Sequence, residues 1–166
     1  LLVGRSVLIV EGPDAAHFLH NLVTADIEGL ADGQSRYTAL LTPQGKILFD
    51  FFVVRAGDAF RIDCATSQKE ALLKRLGLYK LRAKVTVAEA ADKAVAVSPD
   101  GGGVADPREP RMGWRNIVAA GSGAEAQGYD AARIALGLAD TDADLGSGEF
   151  FPHEANLDQI GAVSFS

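Results

Sequence analysis

The stretch Arg36–Ala65 reads RYTALLTPQGKILFDFFVVRAGDAFRIDCA, and it decides the fold class. Arg36 to Leu41 has the composition of a strand. Thr42-Pro43-Gln44-Gly45 places Pro and Gly where a type II turn wants them. Lys46 to Arg55 is apolar on both faces, which marks a strand central in its sheet. Ala56-Gly57-Asp58 closes a hairpin onto Ala59 to Ala65. Strands joined by tight turns are antiparallel, so the chain is built on an antiparallel sheet and not on strand–helix–strand repeats.

Working outward, Ser6 to Glu11 is a short apolar run that reads as a strand. Gly12-Pro13-Asp14 then opens a helix, with Pro early, where its missing N–H costs nothing. Ala15, Phe18, Leu19, Leu22 and Val23 recur at helical spacing, and Thr24-Ala25-Asp26 ends that helix. Downstream, Ser67-Gln68-Lys69-Glu70 has the form of a capping box. The helix it starts is expected to run to about Leu76, with Gly77 as its cap. Lys80 to Ala88 alternates like a strand. Ala94 to Ser98 and Gly103 to Ala105 are expected to form a hairpin around Pro99-Asp100-Gly101-Gly102. Arg111 to Ala119 is a further strand, and Ala124 to Leu136 a helix stopped by Gly137. Asp140 to Gly148 is an acidic loop, Phe151 to Asp158 a loop or single turn, and Ala162 to Ser166 a strand in progress. The expected class is α+β, antiparallel sheet with packed helices.

The chain has 166 residues, 22 acidic against 16 basic, for a formal charge of −6. A chain this long buries roughly two-thirds of its unfolded surface, so a core needs neither disulfide nor metal. A single cysteine, Cys64, excludes an intrachain disulfide or an all-cysteine metal site from this chain alone. Its apolar runs are too short to span a bilayer, and the acidic balance argues against nucleic acid as a direct ligand. The default compartment is cytoplasmic or an organelle matrix, and cytoplasm is the expected one. The start without Met and the run-on end lead to the expectation of a piece of a longer chain.

Several residues invite chemistry. Cys64 alternates with Phe60 and Ile62, the pattern of a small core hydrophobe. His17 and His20 share a helix face but lack a third ligand, so no metal site is expected. Lys80, Arg82 and Lys84 alternate along the expected strand, with Lys69, Lys74 and Arg75 on the helix before it. This basic patch suits a polyanion, and equally an edge strand guarded by charge. Asp63 reads as a ligand carboxylate or a solvated turn acid. Arg133 reads as an anion ligand or a side chain snorkelling from the core. Phe151-Pro152-His153-Glu154-Ala155-Asn156-Leu157-Asp158 crowds acid, amide and imidazole into one loop. That loop serves either a function or its own backbone.

Gly12–Ile27, Tyr37–Asp50, Tyr79–Val85 (YKLRAKV), Asp106-Pro107-Arg108 with Gly113-Trp114-Arg115, and Phe151–Ser166 (FPHEANLDQIGAVSFS) together resemble the YgfZ/GcvT family. The resemblance implies an aminomethyltransferase folate-binding-type fold with a ferredoxin-like lobe. It implies an N-terminal folate-binding region over 1–166, with interleaved lobes of about 1–35 with 115–166 and about 36–114. A C-terminal β-barrel and a KGCYxGQE signature would follow beyond Ser166. The function implied is tetrahydrofolate binding in support of iron–sulfur cluster enzymes and of tRNA modification, with iron–sulfur client proteins as partners. The alternatives are a folate-dependent aminomethyltransferase or demethylase, and an interaction module with a vestigial pocket.

In the aminomethyltransferases an RLEAG segment supplies a carboxylate to the pterin. The matching segment here is Arg133–Gly137, where Ala135 replaces the acid, which argues against aminomethyl transfer. The residues expected at the folate are Glu154 and Asn156, with Asp63 and Arg133 beside them and Lys80 and Arg82 at the glutamate tail. The 151–158 loop is thus expected to line the pterin cavity.

Overall fold

A computed structural model describes residues 1–165. Five antiparallel strands form the main sheet: β1 (Arg5–Glu11), β2 (Ser35–Leu41), β3 (Ile47–Ala56), β4 (Ala59–Ala65) and β5 (Thr86–Glu89). Their order is β2-β3-β4-β1-β5. The stretch that decided the fold class therefore supplies the β2-β3-β4 meander, and β3 is central as its two-sided apolar pattern requires. Residues 5–11 join the same sheet as 35–65 and 86–89.

Helices α1 (Ala15–His20) and α2 (Lys69–Lys80) cover one face. Phe18 and Leu19 from α1, and Leu72 and Leu76 from α2, pack there against Leu8, Phe51, Phe60 and Ile62. Each such large apolar side chain contributes about 1.5–3 kcal/mol when fully buried. Cys64 points into this core, and burial pushes its thiol up to about 12, the inert behaviour its alternation implied.

A second, three-stranded sheet holds β6 (Lys93–Ser98), β7 (Val104–Ala105) and β8 (Trp114–Ala119), in the order β6-β8-β7. The expected β6–β7 hairpin does not form. β8 lies between them, because its register with β6 runs the full length from Lys93↔Ala119 to Ser98↔Trp114 and leaves only its far edge for the two-residue β7. This sheet docks on β1 through Val7, Ala90 and Val95. Helix α3 (Tyr129–Ala135), a wide turn at Thr141–Leu145 and a short 3-10 turn at Pro152–Ala155 close over the remainder of the main sheet's second face. There Ala155 and Leu157 reach Tyr37, Ile47 and Phe52.

Four local expectations are corrected. Ser67 does not cap a helix: its hydroxyl bonds Asp142, and α2 begins at Lys69. Helix α2 also continues through Gly77 to Lys80, since one glycine costs only about 1 kcal/mol within a helix. The break comes at Leu81, a non-glycine residue at φ +38°. Lys80 and Arg82 consequently lie on a helix end and a turn, so no strand carries alternating cations. At the far end, 162–165 form no strand, although the Ser164 N–H donates to the Thr24 carbonyl at 2.7 Å; Ser166 lies outside the described residues.

The turn into α1 is fixed from a distance. A Cβ on Gly12 would stand 2.2 Å from the Lys84 carbonyl oxygen, and Gly12 sits at φ +126°, so only glycine fits. Next to it, the Asp14 carboxylate accepts the Lys84 N–H at 2.8 Å. Asp14→Ala removes that bond and is expected to cost about 1 kcal/mol, read as a lower thermal midpoint with no change in ligand binding.

Candidate functional site

The row Tyr37, Phe52, Asp63 and Val7 runs across four neighbouring strands in direct register, on the face away from α1 and α2. Alternation sends Cys64 one way and Asp63 the other. Because the second sheet and α3 cover that other face, Asp63 is only 1% exposed. It is neither a solvated turn acid nor a free ligand carboxylate. Its Oδ1 accepts Arg5 Nε at 2.6 Å, and its Oδ2 accepts Arg115 Nη2 at 2.6 Å and Nε at 3.2 Å. Burial raises its pKa, but the guanidiniums of Arg115 and Arg5 outweigh that and hold it below the ordinary carboxylate range.

Three arginines surround the Phe52 ring, with Arg115, Arg108 and Arg5 at 3.9, 4.7 and 5.8 Å from its centre. Such contacts strengthen when desolvated. Arg108 pairs with Asp106 at 2.8 and 3.0 Å. The Tyr129 hydroxyl accepts from Arg115 at 2.6 Å and from Arg108 at 2.8 Å, which leaves its own proton to donate elsewhere. Beside them the Tyr37 hydroxyl donates to Asp50, and the Thr141 N–H donates to both Asp50 oxygens at 3.3 Å. Burial, and then the charge of Asp140, push Asp50 above the usual carboxylate range; its hydrogen bonds oppose the shift.

This network walls a cavity of about 310 Å³, lined by Arg5, Tyr37, Phe52, Arg108, Tyr129 and Asp140 among others. The volume sits at the lower end of the ~300–1,000 Å³ typical of ligand sites. A flat heterocycle finds aromatic walls there, a tyrosine hydroxyl and a carboxylate. Four carboxylates line the cavity; Glu125, Asp130 and Asp142 are exposed, and Asp140 is the half-buried one. Its Oδ1 caps the 141–145 turn, accepting from the N–H groups of Asp142 and Ala143 at 3.0 and 3.2 Å. Among the described residues its Oδ2 has only a long contact, to Arg5 at 3.7 Å. A larger groove of about 990 Å³ lies elsewhere and shares no lining residue with this cavity; its charged side chains are exposed or half-buried.

The expected site residues do not converge here. Glu154 and Asn156 are exposed and line neither cavity. Glu154 accepts the Phe151 N–H at 2.7 Å, and Asn156 turns the chain at φ +57°. The loop puts Ala155 and Leu157 inside and its polar residues outside. Arg133 is buried behind the site, where it bonds the Leu138 carbonyl at 2.7 Å and the Asp144 carboxylate. Asp144 in turn accepts the Asp140 N–H at 2.9 Å, so Arg133 braces the segment that carries Asp140. Lys80 lines the other groove, and Arg82 lines neither. Ala135 is exposed, so the position that lost an acid does not face the cavity. Sequence reasoning missed Arg5, Tyr37, Phe52, Arg115, Tyr129 and Asp140; the one available signal was the period of two that puts Tyr37, Phe52 and Asp63 on a shared face. His17 meets Glu28 at 2.9 Å, and His20 accepts the Ile27 N–H at 3.2 Å.

Comparison with known proteins gives a consistent relationship. The family model described as GCVT N-terminal domain matches residues 6–101. The mitochondrial iron-sulfur cluster assembly factor IBA57 of Homo sapiens is 32% identical, over 99% of this chain and 57% of its own length. The mitochondrial IBA57 homologue of Pyricularia oryzae is 31% identical, over 99% of this chain and 49% of its own length. This chain thus spans about half the length of the curated relatives it matches. Among solved structures, the glycine cleavage system aminomethyltransferase T of Bartonella henselae aligns with a TM-score of 0.53 and 25% identity, over 57% of this chain and 26% of that one. The α+β class is thereby an aminomethyltransferase-type fold. The expected cytoplasmic location is overturned, because the relatives that match almost the whole chain are mitochondrial proteins.

Proposed function

Because the chain belongs to the GCVT N-terminal domain family, we propose that it is the pterin-binding part of a mitochondrial assembly factor that supports iron–sulfur proteins. The observation that carries the reading is Asp140 Oδ2, held at the cavity beside Arg5 with no closer partner among the described residues. A carboxylate so placed accepts from the amine and ring N–H of a reduced pterin, the role that Ala135 cannot fill. Tyr37, Phe52 and Tyr129 supply the ring walls, and the unused Tyr129 proton meets a ring acceptor. The protein's clients include tRNA-modifying iron–sulfur enzymes, and Cys64, buried in the core, is not placed to hold a cluster itself.

Isothermal titration of the full-length protein with tetrahydrofolate tests the reading. Saturable heat is the expected result, and none at high micromolar ligand would end the folate claim.

One feature favours a second, enzymatic reading. Asp50, with its raised pKa, lies buried behind Tyr37 and outside the cavity lining, so the Tyr37 hydroxyl it accepts from would carry its proton to the cavity. Turnover of an aminomethyl donor that disappears in Asp50→Asn would establish it. Turnover undetectable in the native protein would remove it.

A further inference from the structure

The charge of this protein is divided unevenly. Five of its 16 cations, Lys74, Arg75, Lys80, Arg82 and Lys84, fall in a stretch with no acid between Glu70 and Glu89; the other 11 face all 22 acids. Of those 11, seven pair with acids, among them Lys69 with Glu89, Lys93 with Asp92, Arg111 with Glu109 and the site arginines with their aspartates; Arg36, Lys46, Arg55 and Arg61 stand apart along the chain. Among the described residues these five have no acidic partner within ion-pair distance, though the fold brings Glu11 and Asp58 into the same groove as Lys80 and Lys84.

The same stretch exposes apolar side chains. Leu78 is 62% exposed, Tyr79 38% and Leu81 89%. Leu81 also holds a backbone conformation that L-residues avoid, at φ +38° and ψ −107°. The chain thus leaves helix α2 by a turn that throws a leucine outward between two cations. Beside that turn lies the groove of about 990 Å³, with Pro13, Ala16, Ala83 and Val85 as apolar lining and Lys80 and Lys84 among its charged side chains. It shares no residue with the pterin cavity. Its wall is anchored, since Gly12 and Asp14 clamp the backbone of Lys84.

We propose that this turn and groove are a docking surface for an acidic protein segment carrying apolar anchor side chains. Charge complementarity selects an acidic partner, since most copies of an acidic surface, this chain's own included, are repelled everywhere but here. The leucines and tyrosine select a protein segment over a bare polyanion, because exposed apolar groups add nothing to a phosphate backbone. The concave groove favours an inserted segment over a flat lipid surface.

The test uses the full-length protein and a short synthetic peptide with Leu and Phe anchors among Glu residues, followed by fluorescence anisotropy. The expected result is saturable binding that weakens at least about tenfold in Lys80→Glu/Lys84→Glu. It also weakens in Leu81→Ser and as salt rises from about 50 to 200 mM. Thermal midpoint and tetrahydrofolate binding stay unchanged in Leu81→Ser, whose side chain supports nothing in the fold. That variant carries the test if the charge reversal fails to fold. Four results would overturn the proposal: no binding at millimolar peptide; equal binding when the anchors are serine; tighter binding of an RNA oligonucleotide or of anionic vesicles; and resistance of Lys80 and Lys84 to acylation in the isolated protein, which would mean its own remaining chain covers them.

Discussion

Asp63→Ala is expected to cost about 3–5 kcal/mol, a large share of a domain stability on the order of 5–15 kcal/mol. Asp63 sits between Arg5 and Arg115 at 2.6 Å from each. Their side chains are only 13% and 8% exposed, so removing the carboxylate strands two guanidiniums away from water. The penalty is that desolvation, and it exceeds the net worth of the ion pairs themselves. Chemical denaturation of full-length native and variant proteins measures it; a loss under about 1 kcal/mol would mean water reaches the network. The pH dependence has a definite sign. The folded pKa of Asp63 is depressed, so its contribution is complete above the unfolded value of about 3.9 and is lost as pH falls through the folded value. Asp50 works the other way. Its folded pKa is raised, so its contribution is complete below the unfolded value and is lost as pH rises through the folded one. Asp63→Asn should flatten the acid limb of the stability profile, and Asp50→Asn should remove the loss on the higher-pH side.

Asp140→Asn is expected to weaken tetrahydrofolate binding by about 1–3 kcal/mol, roughly 5- to 150-fold, with little change in stability. Asparagine keeps the acceptor that caps the 141–145 turn, because Asn and Asp serve equally at a helix N-terminus. It loses the charge and one acceptor oxygen at the cavity, where an aminopterin edge presents two donors. Titration calorimetry beside thermal unfolding separates the two effects. An unchanged affinity would place the pterin elsewhere, and an equal fall in stability would make Asp140 a structural residue. Glu154→Gln and Asn156→Ala serve as contrasts, since both side chains are exposed and line neither cavity.

The expected residues and the observed ones part for identifiable reasons. The loop Phe151–Asp158 drew attention because polar groups cluster there. In the fold its alternation simply sets Ala155 and Leu157 inward and Glu154, Asn156 and Asp158 outward. Lys80–Val85 has the period of a strand, but Leu72 and Leu76 anchor α2 on the core and carry the helix past Gly77. Ala135 marks a missing acid, while Asp140, five residues on, stands at the cavity because Arg133 and Asp144 hold its backbone there.

The sequence by itself determined the meander Arg36–Ala65, the burial of Cys64 with Phe60 and Ile62, and the family through its extended motifs. The meander and the burial are written in local period and turn chemistry, which act over a few residues; the family rests on the resemblance of its motifs. Only the tertiary structure decided that the second face of the sheet is covered, and hence that Asp63 is buried between Arg5 and Arg115, residues 58 and 52 positions away. Alternation tells which residues share a face. Whether that face meets water, a helix or another sheet depends on segments far along the chain, and the chemistry of every charged group on it follows from that.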